Sequence, residues 1–411
     1  MRRGTNMPKR WTRSICLGRI CGGLAAPRKP LPQAALPLLD LSDQIGVNDL
    51  HKIGYLTEDR LKNIPRRHWA EHEFSFYLHD LIAALTQEAE QAGAGHLSVK
   101  LETERDVAAL KAFPNPIDFL AATGREHEER RLLINHIVSA LFPDMLHFIH
   151  AGLTALEKRK FTLAFACFRK PFKEGLPLVA LLCADEEDFF TKFKRDPVSF
   201  LDGGNFNGRT KRSAIESAIA KCSDASCMSA DVLYSYLFDF KNAFGFARLF
   251  DTATHLVTRN PDIRTEPYNL NFIFKDPREN DVYETCYQGI SYVLLCIHLM
   301  QIELLKRMHF VADDYLMQVN MRAVGTYAAL FIKGRSAITQ GMRKLFGELM
   351  KCPTCNERIQ LRKRTVPMLL VTENLKCEKC GLISHFPLAW LMSDLGIDYC
   401  DSRASSYGSK K

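Results

Sequence analysis

Four cysteines stand in two matching pairs, Cys352-Pro353-Thr354-Cys355 and Cys377-Glu378-Lys379-Cys380, with 21 residues between Cys355 and Cys377. Two intervening residues let both thiolates of a pair reach one ion at about 2.3 Å, while the turn's backbone N–H groups point at the sulfurs. Asn356 and Gly381 follow the second cysteine of each pair. The chain must turn sharply there, and both residue types tolerate left-handed backbone geometry. Lys351, Lys376 and Lys379 favour the thiolate form. Residues 350–381 are therefore expected to fold around one tetrahedral zinc ion held by Cys352, Cys355, Cys377 and Cys380. Four thiolates leave no open position for water, so this zinc is structural rather than catalytic. His385 is expected to be a surface or packing residue.

Between the pairs, Arg358-Ile359-Gln360-Leu361-Arg362 alternates at the period of a strand, and Pro367 breaks the run before Met368-Leu369-Leu370-Val371. Over about 35 residues the pattern resembles the zinc-ribbon family. Arg358, Arg362 and Arg364 fall on one side of the expected strand, a basic stripe able to touch phosphates. The alternative is a small staple that caps the helical region or docks a protein.

Histidine is the second concentrated chemistry. Eight of the thirteen histidines lie between His68 and His150. His68, His72 and His79 share one stripe of an expected helix, which could hold a divalent ion if a facing helix supplied further ligands, or form a half-buried polar seam. His68-Trp69-Ala70-Glu71-His72 matches the His-x-x-Glu-His pattern of a metallopeptidase class, and His79-Asp80 resembles the metal-dependent HD phosphohydrolases. Both matches arise readily by chance. Cys222 and Cys227, lacking a partner pair, read as free thiols.

Arginine followed five to seven positions later by histidine occurs as Arg67 with His72, Arg131 with His136 and Arg248 with His255. That spacing is the signature of HEPN ribonucleases. The stretch Ala166 to Glu174, followed by an apolar helix and Asp185-Glu186-Glu187, resembles helical prokaryotic proteins grouped near HEPN, over about residues 120–310. The resemblance implies a metal-independent ribonuclease of prokaryotic defence, acting as a homodimer. His136 would be the acid/base at the ribose 2′-hydroxyl and Arg131 the phosphate clamp. Leu132 stands where that family carries a polar residue, a departure that weakens the assignment.

The elements that must position these residues read almost entirely as helix. Pro65 opens a helix over 66–92, and Gly93 and Gly95 stop it. Helices are expected at 106–113, 126–142, 145–157, 211–222, 230–239, 241–258, 311–332 and 336–350. Pro171 should kink or split the apolar stretch 161–183. Residues 196–209 read as a loop, and Asp281 with Glu284 as a capping box for a helix to about Arg307. Thr285 to Ile302 lacks formal charge over eighteen residues and is expected to be a buried core helix, not a membrane span. The fold class is mainly α: a large all-helical bundle followed by a small β zinc-ribbon module. The expected organisation is a basic disordered tail over 1–39 and an all-α domain over 40–332, with a sub-boundary near 114–125. A helix plus zinc ribbon over 333–400 and a flexible tail over 401–411 complete it.

The net charge of +8 is unevenly held. Residues 1–39 carry eight basic residues and no acid, residues 333–380 are net +7, and residues 40–332 are net −7. A nucleic-acid partner would therefore meet the C-terminal module. The thirteen cysteines and the absence of a secretory signal pattern fit a reduced cytoplasmic compartment. The preferred reading is a zinc-ribbon helical protein acting on or near RNA or DNA, with HEPN-like ribonuclease as its specific form. The alternatives are a non-enzymatic protein-interaction module and a metal-dependent hydrolase using the His68–His150 cluster. The residue pattern leaves enzyme and binding protein both open.

Overall fold

The computed structural model describes residues 14–17 and 52–394, apart from 114, 203–204, 223–226 and 272–279. Most of the expected basic tail and all of the expected flexible tail over 401–411 lie outside the described residues. In chain order the elements are β1 (Ser14–Leu17), α1 (Glu58–Leu61), α2 (Trp69–Gln91), β2 (Leu97–Lys100), α3 (Glu104–Ala112), α4 (Pro116–Ala122) and α5 (Glu126–Glu157). Next come α6 (Phe161–Lys170), α7 (Leu176–Ala184), α8 (Glu186–Arg195), α9 (Pro197–Leu201), α10 (Gly208–Lys221), α11 (Ala230–Phe238) and α12 (Phe246–Thr254). The chain continues with α13 (Asp281–Leu305), α14 (Asp313–Phe331), α15 (Ala337–Phe346), α16 (Val366–Thr372), β3 (Asn374–Lys376), β4 (Ile383–His385) and α17 (Leu388–Asp394). The expected class, mainly helical with a small β element near the C-terminus, is what the chain adopts.

α13 is the central helix of the larger core. Its Tyr283, Ile290, Val293, Leu294 and Ile297 are fully buried, and it packs against α2, α7, α10, α11 and α14. Helices α5 and α13 are both long and apolar enough to cross a membrane by length and composition. For α13, burial on every side accounts for that apolar composition.

Several expectations are corrected. The segments 126–142 and 145–157 are one helix with Pro143 inside it. The apolar face of Val138, Phe142, Met145, Leu146 and Ile149 continues across the proline into one core, and that packing outweighs the lost backbone hydrogen bond. Pro171 does interrupt its helix, through a wider π turn over Pro171–Gly175 between α6 and α7. Gly175 permits this close approach, since a Cβ there would lie 2.7 Å from the Met145 side chain on α5. Within the expected loop 196–209, Asp196 caps the short helix α9 through the Ser199 N–H at 3.0 Å. The expected helix 241–258 is shortened to α12. The Asp239 and Asn242 side chains take the N–H groups of Lys241 and Phe244, holding the preceding chain in turns. No capping box forms at α13, because Glu284 is turned outward to pair with Arg67.

A second core begins on α14. That helix gives Leu316, Val319 and Ala323 to the larger core and Met321 and Ala329 to a smaller one. The smaller core contains Ile338, Met342 and Phe346 of α15, Leu369 and Leu370 of α16, and the cysteines Cys352 and Cys377. The apolar run Met368 to Val371 that follows Pro367 lies in helix α16. Pro367 occupies a first-turn position of that helix, and Leu369 and Leu370 are buried in the second core. The expected strand over 358–362 reduces to an isolated bridge between Lys351 and Arg358. The β content of the module is the antiparallel pair β3–β4, with Leu375 opposite Ser384.

Candidate metal centre

The two cysteine turns are built alike. In the first, the Cys352 N–H donates to the Glu357 carbonyl at 2.9 Å and the Asn356 N–H to the Cys352 carbonyl at 3.0 Å. In the second, the Cys377 N–H donates to Leu382 at 2.8 Å and the Gly381 N–H to Cys377 at 3.0 Å. Asn356 and Gly381 take φ of +55° and +75°, the left-handed geometry expected of residues following each pair. Strands β3 and β4 flank the second turn and the Lys351–Arg358 bridge flanks the first.

These turns bring all four sulfurs within 4.8 Å of one another. Cys352 Sγ lies 3.5 Å from Cys380 Sγ, and Cys355 Sγ lies 3.6 Å from Cys377 Sγ. Those separations are far too long for a disulfide. They approach the roughly 3.8 Å edge of a tetrahedron whose four sulfurs each sit about 2.3 Å from a central ion. The backbone N–H groups of Cys355 and Thr354 pull the Cys352 thiol down to about 6, whereas hydrogen bonds among the crowded sulfurs push Cys355 and Cys380 up, as expected where several thiols share one small volume. Four cysteines, tetrahedral spacing and donated N–H groups fit a closed metal site of the zinc-ribbon kind. Among the described residues, no other set of three or more His, Cys, Asp or Glu ligand atoms is gathered as closely.

No family model, curated protein or solved structure matches the chain. The ribbon-like centre therefore stands on its own geometry, and the resemblance of the helical region to HEPN proteins has no match behind it.

Carboxylates engage all three arginines expected to form a phosphate-touching stripe, and two of them, Arg362 and Arg364, meet at one glutamate. Arg358 pairs with Glu348 at 2.8 Å, Arg362 with Glu378 at 2.9 Å, and Arg364 with the same Glu378 at 3.3 Å. All of these groups are at least partly exposed. His385 is exposed on β4, as expected of a surface residue.

Four of the eight histidines between His68 and His150 fall into two separate groups, His68 with His72 and His79 with His150. His68 Nδ1 lies 2.5 Å from the Glu71 carboxylate. His72 is fully buried, with Nδ1 2.5 Å from the Tyr287 hydroxyl and Nε2 3.4 Å from Glu157. His79 instead faces α5, its ring 5.4 Å from that of His150. Seven residues of helix separate His72 from His79 by about 10 Å along the axis, too far for one ion. The common stripe thus becomes a polar seam, and its glutamate, Glu71, is occupied by His68 rather than poised as a base.

The expected catalytic pair lies on one helix. Arg131 and His136 are both on α5, five residues and therefore about 140° apart around the helix. Arg131 lies over the Phe310 ring at 5.5 Å, and His136 is exposed. Arg67 is paired with Glu284. Cys183, Cys222, Cys286 and Cys296 are buried, and burial pushes the Cys183 thiol up to about 12, as expected of unreactive core thiols.

Sequence reasoning missed two features. Glu73 is buried, and its carboxylate accepts the backbone N–H groups of Ile53, Gly54, Tyr55 and Leu56 at 2.5 to 3.0 Å. A glutamate among apolar helix residues was the available signal. Leu345, Leu349, Leu382, Ile383 and Trp390 are exposed on the C-terminal module, and no periodicity separates them from core positions.

Proposed function

We propose that the protein binds nucleic acid through its C-terminal module, with one structural zinc holding the binding surface and no catalysis by that ion. The observation that carries this reading is the charge partition, net +7 over 333–380 against net −7 over 40–332. Arg335, Lys344, Lys351 and Lys376 are exposed around the module, and Trp390, 61 % exposed, offers a stacking face. The carboxylate pairs of Arg358, Arg362 and Arg364 do not oppose the reading. Partly exposed ion pairs are worth about 0–1 kcal/mol, so a phosphate can replace a glutamate at little cost. HEPN-like ribonuclease action would require Arg131 to leave Phe310 and meet a histidine of a second copy, so we assign binding rather than cleavage.

A second reading, a protein-docking module, is favoured by Leu345, Leu349, Leu382 and Ile383, which are 37 to 58 % exposed. Fluorescence anisotropy with single-stranded RNA at several salt concentrations separates the two. Nucleic-acid binding predicts log–log salt slopes that fall by about 2–3 when Arg358, Arg362 and Arg364 are all replaced by glutamate. Zinc content serves as the folding control. Unchanged affinity in that variant would sink the nucleic-acid reading and leave the docking module.

A further inference from the structure

The second histidine group has a construction that the first lacks. His79 on α2 and His150 on α5 face each other with ring centroids 5.4 Å apart and planes tilted by 51°. Two imidazoles that each place a nitrogen about 2.1 Å from one ion, at a near-tetrahedral angle, have centroids about 5 Å apart. His79 is held in place from behind. Its Nδ1 lies 2.7 Å from the Asp80 Oδ1 atom, and the Tyr55 hydroxyl donates to Asp80 Oδ2 at 2.6 Å.

A carboxylate accepts but does not donate, so Nδ1 carries a proton, and in the neutral ring the lone pair then lies on Nε2. A carboxylate behind an imidazole, with the other nitrogen unprotonated, is the arrangement that orients histidine metal ligands. Phe76 packs edge-on against His150 at 5.7 Å and lies 6.5 Å from His79, restricting both rings. His150 is exposed, so the gap can be reached from solvent. The neighbouring cation, Arg60, sits over the Phe76 ring and is neutralised by Glu157.

We propose that His79 and His150 form a second divalent-metal site, in which Asp80 orients His79 and water or an external ligand fills the remaining positions. The donor set suits a borderline ion such as Zn²⁺ or Ni²⁺, for which imidazole is a preferred ligand. With two protein ligands the site binds more weakly than the four thiolates. Unlike them, it leaves open positions where a bound anion or water can be polarised.

The test uses the full chain with zinc already in the thiolate centre, titrated with Ni²⁺ by calorimetry and checked by elemental analysis after desalting. The wild type is expected to take one further equivalent. His150→Ala, at an exposed position, should abolish that equivalent while leaving the melting temperature unchanged. Asp80→Asn should weaken it about 10–100-fold, as loss of an orienting carboxylate does. The double variant Cys377→Ser, Cys380→Ser should lose the thiolate zinc and keep the second equivalent. No further equivalent in the wild type, or undiminished Ni²⁺ binding in His150→Ala, would overturn the proposal. Neither result touches the nucleic-acid reading, which rests on the other end of the chain.

Discussion

Tyr287 on α13 places its hydroxyl 2.5 Å from Nδ1 of His72 on α2, joining two core helices through a buried hydrogen bond. The Glu157 carboxylate accepts at Nε2, so Nε2 carries the proton and the tyrosine donates to Nδ1. Arg60 completes the group by donating Nε to Glu157 at 2.9 Å. Four helices, α1, α2, α5 and α13, thus share one polar cluster, and its histidine has no free nitrogen for a metal or a substrate.

Replacing Glu157 by Gln should cost about 1–3 kcal/mol, because buried donors on His72 and Arg60 lose a charged acceptor. Urea unfolding followed by circular dichroism measures it. A change below about 0.5 kcal/mol would show that the cluster is not a stabilising tie. Although burial works against its charge, hydrogen bonds from His72 and Arg60 hold the Glu157 carboxyl below its usual range. Its contribution is therefore present above the unfolded carboxyl value and lost as pH falls through the folded one.

A second pH effect comes from His298. It is fully buried on α13, neither ring nitrogen has a partner among the described residues, and burial lowers its value to about 3. The unfolded chain takes up a proton near pH 6.5 that the folded protein refuses. Stability should then fall below pH 6.5 by up to about 1.4 kcal/mol per pH unit from this residue. His298→Leu should flatten that slope between pH 6.5 and 4 and raise stability at pH 7. An unaltered slope in the variant would refute the assignment.

Removing the metal should unfold the C-terminal module before the helical bundle. Cys352 and Cys377 are part of the second core with Phe346, Leu369 and Leu375, so thiolate ligation and packing are coupled. Chelation, or Cys377→Ser with Cys380→Ser, should release one zinc per chain. Hydrogen exchange should then rise over 337–394 and stay low in α13. Uniform loss of protection across both cores would show that they unfold as one.

Arg322 links those cores, donating Nε to the Leu370 carbonyl at 2.6 Å and pairing with Glu373 at 2.9 Å. Arg322→Ala should cost about 1–3 kcal/mol through the carbonyl left without its donor, with zinc affinity reduced in parallel. Thermal unfolding with metal quantification checks both. Full zinc affinity in a destabilised variant would place the tie outside the metal site.

The helical class and the four-cysteine cluster were legible for different reasons. Apolar periodicity marked α2, α10, α13 and α14 to within a few residues, because each buries a long stripe. The cysteine pairs needed no tertiary information, because two intervening residues confine both sulfurs to one ion whatever surrounds them. Asn356 and Gly381 were equally local, their left-handed turns being set within five residues.

Tertiary structure decided the rest. Met368 to Val371 are apolar enough for strand or helix, and the second core beside α14 selected helix. Pro143 stayed inside α5 because both halves of its apolar face enter one core. The histidine stripe looked alike at His72 and His79, yet Tyr287 and Glu157 occupy the first while His150 faces the second. Spacing along one helix states which side chains share a face, but only packing states what the face meets. The sequence by itself therefore determined the thiolate centre and the helical class, whose causes lie within a turn or two of chain. The roles of His72, His79, Arg131 and Glu157 depend on contacts between distant segments, and those only the folded molecule supplies.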